Sequence, residues 1–346
     1  MKKILLTLII GLIAISTQAQ NIIAVQQNGN KNFYTNLDTA ITKAQQGDTI
    51  YLPQGNFSLS VPIKKELHIF GIGFNNRNLN GIGVTQINST AQYGYIYVLR
   101  GADNGSFEGI FTDALFNFGS PYDTSTYDVN NYQIARCYFS SAIYSQSVYN
   151  YRKEKSSNIS IRESIMQAIY NTIDNRNWLV SNCVITNNCG ISNSEILNCI
   201  FLRGDDLYSF KYSSIKNSVF GINTYPWNYS EYSQFYNNVN LNLNGFGGSN
   251  VYGHHNFSIA TWDSIFINVS SSNRFDYFNN DYHLKNNSAG KNAGTDGTDI
   301  GIYGGLFPWK DWSVPITPQV YDKVIQGSTD LNGKLPIKIK VKAQTN

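Results

Sequence analysis

The chain has 346 residues, 14% of them charged, with a formal net charge of +3. So weak a field, with no dense basic run, excludes capture of a polyanion and leaves nucleic acid out as a partner. Polarity comes instead from Asn, Ser, Thr, Gln and 24 Tyr, a surface suited to neutral hydrogen-bonding partners such as sugars.

Residues 1–20 begin with Lys2 and Lys3, run apolar from Ile4 to Ile15, and end in Ser16-Thr-Gln-Ala19-Gln20. The run is too short to span a bilayer comfortably and stops at small residues, so it reads as a secretory signal peptide cut after Ala19. The expected location is secreted, periplasmic or at the cell surface, with no transmembrane segment after signal removal.

Leu37, Ala40, Ile41 and Ala44 fall at helical spacing, and Gly47 ends that helix. Thr49 to Leu52 reads as the first strand, with a turn at Pro53 to Gly55. Asp48 reads as a turn-capping carboxylate at the helix exit. Further strands fall at Val84 to Ile87, Tyr95 to Leu99 and Phe107 to Phe111.

From Ile134 to Leu243 one phrase recurs six times. Its first column is Ile134, Ile161, Val180, Ile196, Ile215 and Phe235. Its sixth is Phe139, Met166, Ile185, Phe201, Phe220 and Asn240. The fourth column (Cys137, Ser164, Cys183, Cys199, Ser218, Asn238) advances by 27, 19, 16, 19 and 20 residues. A drifting period near twenty, rich in Ile, Val, Phe and Tyr and broken by Asn, Ser and Gly, predicts stacked strand-and-turn coils. Ten to twelve such coils at about 4.8 Å each make a rod of roughly 50–60 Å.

Columns one and six are both inward yet five residues apart, which a straight strand cannot satisfy. A bend at the third column repairs the parity, and Asn182, Asn198, Asn217 and Asn237 tolerate the left-handed conformation it needs. Stacked Asn is expected to bond along the ladder, which Arg136 and Glu163 interrupt in the first two coils. Column four predicts buried small residues, so Cys137, Cys183 and Cys199 read as packing rather than disulfides or zinc ligands. Cys189 lies outside the column.

With these columns the chain resembles the right-handed parallel β-helix family of pectate lyases and their secreted, uncharacterised relatives. The entry is similar too: a short helix, Gly47-Asp-Thr-Ile50 and the turn Gly71-Ile-Gly73. The resemblance implies an all-β, right-handed parallel β-helix solenoid over residues 20–307. A short N-terminal helix would cap it, and residues 308–346 would form a C-terminal β-hairpin tail. It is unspecific for activity.

Two inserts, Ser120 to Gln133 and Ser140 to Ser157, carry Tyr122, Tyr127, Tyr132, Tyr144, Tyr149 and Tyr151. A third aromatic cluster, Tyr225 to Tyr236, contains Trp227 and Tyr229. Long loops on one side of a solenoid often form its binding face, and Tyr offers both a ring face and a hydroxyl to sugar. Tyr144, Tyr149, Tyr151, Trp227 and Tyr229 are therefore the carbohydrate-contact candidates. Lyases of the family use a basic residue and calcium-holding carboxylates, which Arg203, Asp205 and Asp206 resemble. Gly204-Asp-Asp206 and Gly253-His-His255 also resemble pieces of polygalacturonases, but the accompanying motifs are broken or absent. The bland reading of Asp205 and Asp206 is a polar turn.

Asp281-Tyr-His-Leu284 and Gly294 to Gly305 resemble the closing segment of exported β-helices, expected to finish the last coil. Val320 to Ile325 and Leu335 to Val341 read as a hairpin. Its Ile337, Ile339 and Val341 are expected to pack over the last coil or a sheet, unless the tail serves export or attachment. The favoured function is a non-catalytic surface or carbohydrate-binding scaffold for an extracellular polysaccharide, with no cofactor. The alternative is a polysaccharide lyase, with calcium, or less readily a glycoside hydrolase.

Overall fold

The computed structural model describes residues 21–27, 29–74, 84–120, 128–145, 156–202, 208–221, 229–240, 249–259, 261–269, 279–311, 319–325, 328–329 and 332–342. They form a parallel β-helix solenoid. Its first face is a twelve-stranded sheet whose last ten strands, from Asp48–Tyr51 to Tyr252–His254, are parallel rungs. The second face stacks ten rungs from Gly55–Leu59 to Phe257–Ser258. A third face branches from it, joining Tyr95–Val98, Leu115–Phe118, the far halves of Tyr138–Ser145 and Ile165–Asn171, Cys189–Ser192 and Tyr208–Lys211.

The N-terminal end is closed as the sequence suggests, by the helix Leu37–Lys43. Asn36 caps it, accepting from the Thr39 amide at 2.8 Å. Lys65 Nζ closes the other end on the carbonyls of Thr42 (2.9 Å) and Ala44 (2.6 Å). Leu37, Ala40, Ile41 and Ala44 are buried. Asp48 accepts from the Gln45 amide at 2.7 Å, the turn-capping role expected of it. Ahead of the helix, Ile23–Gln27 and Asn30–Tyr34 add an antiparallel pair to the first sheet.

Column one is in register from Phe107 through Ile134, Ile161, Val180, Ile196 and Ile215 to Phe235, all fully buried. Each such burial contributes about 1.5–3 kcal/mol. Column six is buried as well, including Asn240. The bend between them is present, and it is longer than the Asn run. Gly109, Arg136, Glu163, Asn182, Asn198, Asn217, Asn237 and His255 all have φ between 48° and 67°. Arg136 and Glu163 therefore interrupt the asparagines but not the turn.

Column four needs more than smallness. Ser164 and Ser218 hydroxyls donate to the carbonyls of Arg162 (2.8 Å) and Lys216 (2.9 Å). The thiols of Cys137, Cys183 and Cys199 sit equivalently on Ala135, Ser181 and Leu197 (3.1–3.3 Å). Cys and Ser interchange because each is a small donor that closes the same bend. All four cysteines are free and buried.

The bend asparagines do not bond along the stack. Asn182 Nδ2 donates to the carbonyls of Ile302 (2.9 Å) and Gly304 (2.7 Å), and Asn198 Nδ2 to Asp299 (3.1 Å) and Gly301 (3.2 Å). Asn217 exchanges bonds with Thr295, and Asn237 Nδ2 donates to Ala293 at 2.8 Å. Residues 293–304 are thus a strap running back along the corner rather than a closure of the last coil. Its Gly304 leaves no room for a Cβ, which would lie 1.8 Å from the Asp299 carbonyl oxygen. With Phe266–Asn268 and Asp281–Leu284, the strap covers the outward column Ile165, Val184, Ile200, Val219 and Val239 in a second core containing Trp262, Ile300 and Ile302. The hairpin of Gln319–Ile325 and Ile337–Lys342 forms, but Ile337, Ile339 and Val341 are exposed. The sheet cover expected of that tail is supplied instead by Trp262, Phe266, Tyr282, Leu284, Ile300 and Ile302.

Two outcomes follow. Asn198→Ala should lower stability by about 2–3 kcal/mol in urea unfolding, through the left-handed penalty and the lost strap bonds, and Asn198→Gly by about 1 kcal/mol less. Equal losses would show that the bend contributes nothing. Burial pushes the Cys137 thiol up to about 12 and raises Cys183 and Cys189. All four thiols are buried, so an aromatic disulfide reagent at mildly alkaline pH should titrate none in the native protein and all four after denaturation.

Candidate carbohydrate-binding groove

Three residues before column one lies a second left-handed corner: Asn104, Asn131, Asn158, Asn177, Asn193, Tyr212, Tyr232 and Asn250, with φ from 48° to 63°. Its early asparagines do form a ladder. Each Nδ2 donates to the previous Oδ1, Asn131 to Asn104 (3.1 Å), Asn158 to Asn131 (3.0 Å) and Asn177 to Asn158 (3.1 Å). Asn193 leaves the ladder and donates to the Ile173 carbonyl at 2.5 Å.

At the next two coils the corner residue becomes tyrosine. A bulky side chain at positive φ costs about 1–2 kcal/mol that asparagine largely avoids. The backbone holds both residues there: the Tyr212 amide donates to Glu231 O (2.9 Å) and the Tyr232 amide to Ser249 O (3.0 Å). Their rings stack with centroids 5.0 Å apart and planes within 9°, at 48% and 51% exposure.

Where asparagine gives way to tyrosine, the surface opens into a groove of about 690 Å³. Asn177, Asn193, Tyr212 and Tyr232 line one side, and Leu179, Glu195, Ser214 and Gln234 the other. The floor is stiff. Ser194 and Ser213 are buried and bond forward, Ser194 N to Ser213 Oγ (3.2 Å) and Ser213 N to Ser233 Oγ (3.1 Å). Trp178, in the same column one coil earlier, donates to Ser156 O at 2.9 Å. The charges nearby are paired, Glu195 with Lys216 at 2.8 Å and Glu231 with Lys211 at 2.9 Å.

Of the contact candidates, Tyr144 and Tyr229 are described; Tyr149, Tyr151, Trp227, Arg203, Asp205 and Asp206 lie outside the described residues. Tyr144 is half-buried on the third face, stacked on Tyr170 at 5.2 Å. Burial raises its phenol pKa, with Tyr170 and Tyr95 adding to the effect. Tyr229 is exposed and its carbonyl accepts from Ser209 Oγ at 3.0 Å. Gly190 and Ser209 follow Tyr170 in that column, so Tyr144 and Tyr229 share no continuous platform. Tyr132, placed by its sequence in a binding insert, is wholly buried against Phe118. Gly253-His-His255 is one more rung, with Gly253 opposite Phe235 and His254 stacked on Tyr236. Tyr212 had a signal in the sequence, the fixed offset of three residues before column one.

A smaller cavity of about 200 Å³ lies on earlier rungs of the same face, between His68, Ser106, Glu108, Gln133 and Arg162. His68 Nδ1 is 3.0 Å from Ser106 Oγ. Behind it Arg136 contacts Glu108 and reaches Glu163 at 3.4 Å, with Arg162 3.7 Å from Glu163. The Arg136, Glu108 and Glu163 side chains are only 2%, 9% and 5% exposed. This cluster braces the corner and offers a polymer no approach. Among the described residues no group of His, Cys, Asp and Glu is arranged to hold a metal, and no helix is long and apolar enough to cross a membrane. No protein-family model and no curated protein matches the chain.

Burial raises the Glu163 pKa above its ordinary 4.5, opposed by Arg136, Arg162 and Lys310 and aided by Glu108. The folded state therefore binds this proton more tightly than the unfolded chain. The stabilisation is full below the ordinary value and is lost as pH rises through the folded one. Thermal melts from about pH 4 to about pH 7 should show Glu163→Gln gaining on the wild type as pH rises; a pH-independent difference would refute the assignment.

Proposed function

We propose that the protein is an exported, non-catalytic β-helix scaffold, of the pectin-lyase-like kind, that binds an extracellular polysaccharide. The observation that carries this reading is the tyrosine pair at the second corner. Asn holds the same backbone position in neighbouring coils at lower cost, so the stability of the rod does not call for tyrosine there. What Tyr212 and Tyr232 add is exposed aromatic surface beside a groove lined with amides and hydroxyls. Sugars are recognised by that combination, a ring face for C–H groups and planar polar groups for hydroxyls. Export rests on the leader read in residues 1–20. At the groove's rim Lys211 pairs with Glu231 and Lys216 with Glu195.

The test is incubation of the mature protein with a panel of uronates and neutral glycans, with and without calcium. Retention on at least one glycan is expected, without new chain ends. The double variant Tyr212→Ala/Tyr232→Ala should weaken binding by at least about tenfold. Unsaturated ends absorbing in the ultraviolet would establish a lyase instead, and failure to bind any glycan would sink both readings.

A further inference from the structure

We infer that the groove seats a neutral pyranose ring as the next member of the tyrosine stack, lying on the free face of Tyr212 above Asn193. This rests on the carbohydrate reading and specifies its ligand. Tyr212 and Tyr232 occupy one corner position on successive coils, and their 5.0 Å separation matches the rung spacing of about 4.8 Å. The ring normals therefore run along the rod, and each ring covers one face of the other. Only the two outer faces remain. That of Tyr232 looks toward the coil of Asn250, and that of Tyr212 toward the coil of Asn193. The groove contains Asn177 and Asn193 but not Asn250, so it opens on Tyr212. Asparagine is shorter than tyrosine, and the step between them leaves the depth of a ring.

The amides at that step supply the second observation. Because Asn193 Nδ2 turns to Ile173 O, the Oδ1 of Asn177 receives no donor from the ladder that satisfies Asn104, Asn131 and Asn158. Asn177 is exposed beside the groove. With it stand Asn193 Oδ1 and the Glu195 carboxylate, whose lysine partner is 2.8 Å away. A site rich in acceptors selects a ligand rich in donors, which means hydroxyls. A uronate carboxylate there would meet acceptor oxygens, with both nearby lysines already paired. A flat C–H face bordered by equatorial hydroxyls fits both the ring and the rim, which describes gluco- and xylo-configured pyranoses.

Calorimetry on the full mature chain tests this with cello-, xylo- and galacturono-hexaose as probes. A neutral hexaose should bind, and galacturono-hexaose at least about tenfold more weakly. Tyr212→Ala should cost about tenfold and Tyr232→Ala about threefold or less, because Tyr232 only backs the ring that touches sugar. Tyr212→Phe should stay near wild type, and thermal melts confirm that each variant is folded. Tighter binding of galacturono-hexaose, or a larger loss at Tyr232 than at Tyr212, would overturn the subsite. So would glycan binding that neither variant weakens, which leaves the carbohydrate reading standing. No binding of any glycan would remove that reading and the subsite with it.

Discussion

Everything in this rod depends on one backbone constraint, a single left-handed residue between two inward columns. Columns one and six can both face the core only if the chain turns once between them, and φ near +50° is that turn in coil after coil. The constraint propagates outward. In five coils the turn brings a Cys or Ser side chain over the carbonyl two positions back, to which it donates, while Asn238 donates to Ile215 O of the preceding coil. The turn also points the third-column side chain away from the core, where an amide can hold another segment. The strap 293–304 is fastened by those amides, and its apolar residues complete the second core.

This logic explains how much the sequence disclosed. Columns recur, so the rungs, the core faces, the capping helix and the existence of the bend were legible from residue types alone. The partner of the bend amides was not, because Asn182 bonds to residues some 120 positions away and nothing local marks them. Arg136 and Glu163 concealed two turns because their side chains are poor left-handed residues. Their amides hold them there, Arg136 N on Arg162 O and Glu163 N on Ser181 O at 3.1 Å each, and Arg136 is further fixed by its buried contacts with Glu108 and Glu163. The second corner was visible in principle, three residues ahead of column one, but it falls where long inserts enter the rungs and dissolve the rhythm. Tyr132 was misplaced for the same reason: it ends an insert yet belongs to the inward column.

The two corners differ in what remains available to a partner. At the first, the side-chain amides are consumed by the strap, and the outward column of the second face is roofed. At the second, asparagines satisfy one another along the rod until Asn193, then tyrosines replace them. A repeat protein tolerates substitution most easily at positions whose role is purely conformational, provided the backbone is held by its neighbours. Tyr212 and Tyr232 are held in this way, by amide bonds to the following coil and by the serine floor beneath. Their ring stack returns part of the cost of the left-handed backbone, and on the proposed reading the exposed ring surface serves a partner outside the rod.

That placement also bears on how tightly such a surface can hold a flexible chain. Binding loses free energy in ordering the site as well as the ligand. Here the ring stack sits on successive rungs of a ladder, each ring restrained by its neighbour, with floor hydroxyls already committed to backbone carbonyls. Little is left to order on the protein side. A flat, stiff surface with a periodic step of about 4.8 Å also cannot close around a ligand. If it holds a glycan as proposed, selectivity comes from the end of a stack and from the direction of a few acceptors, rather than from enclosure. On the proposed reading, discrimination rests on chemistry at one step in a column, where asparagine gives way to tyrosine.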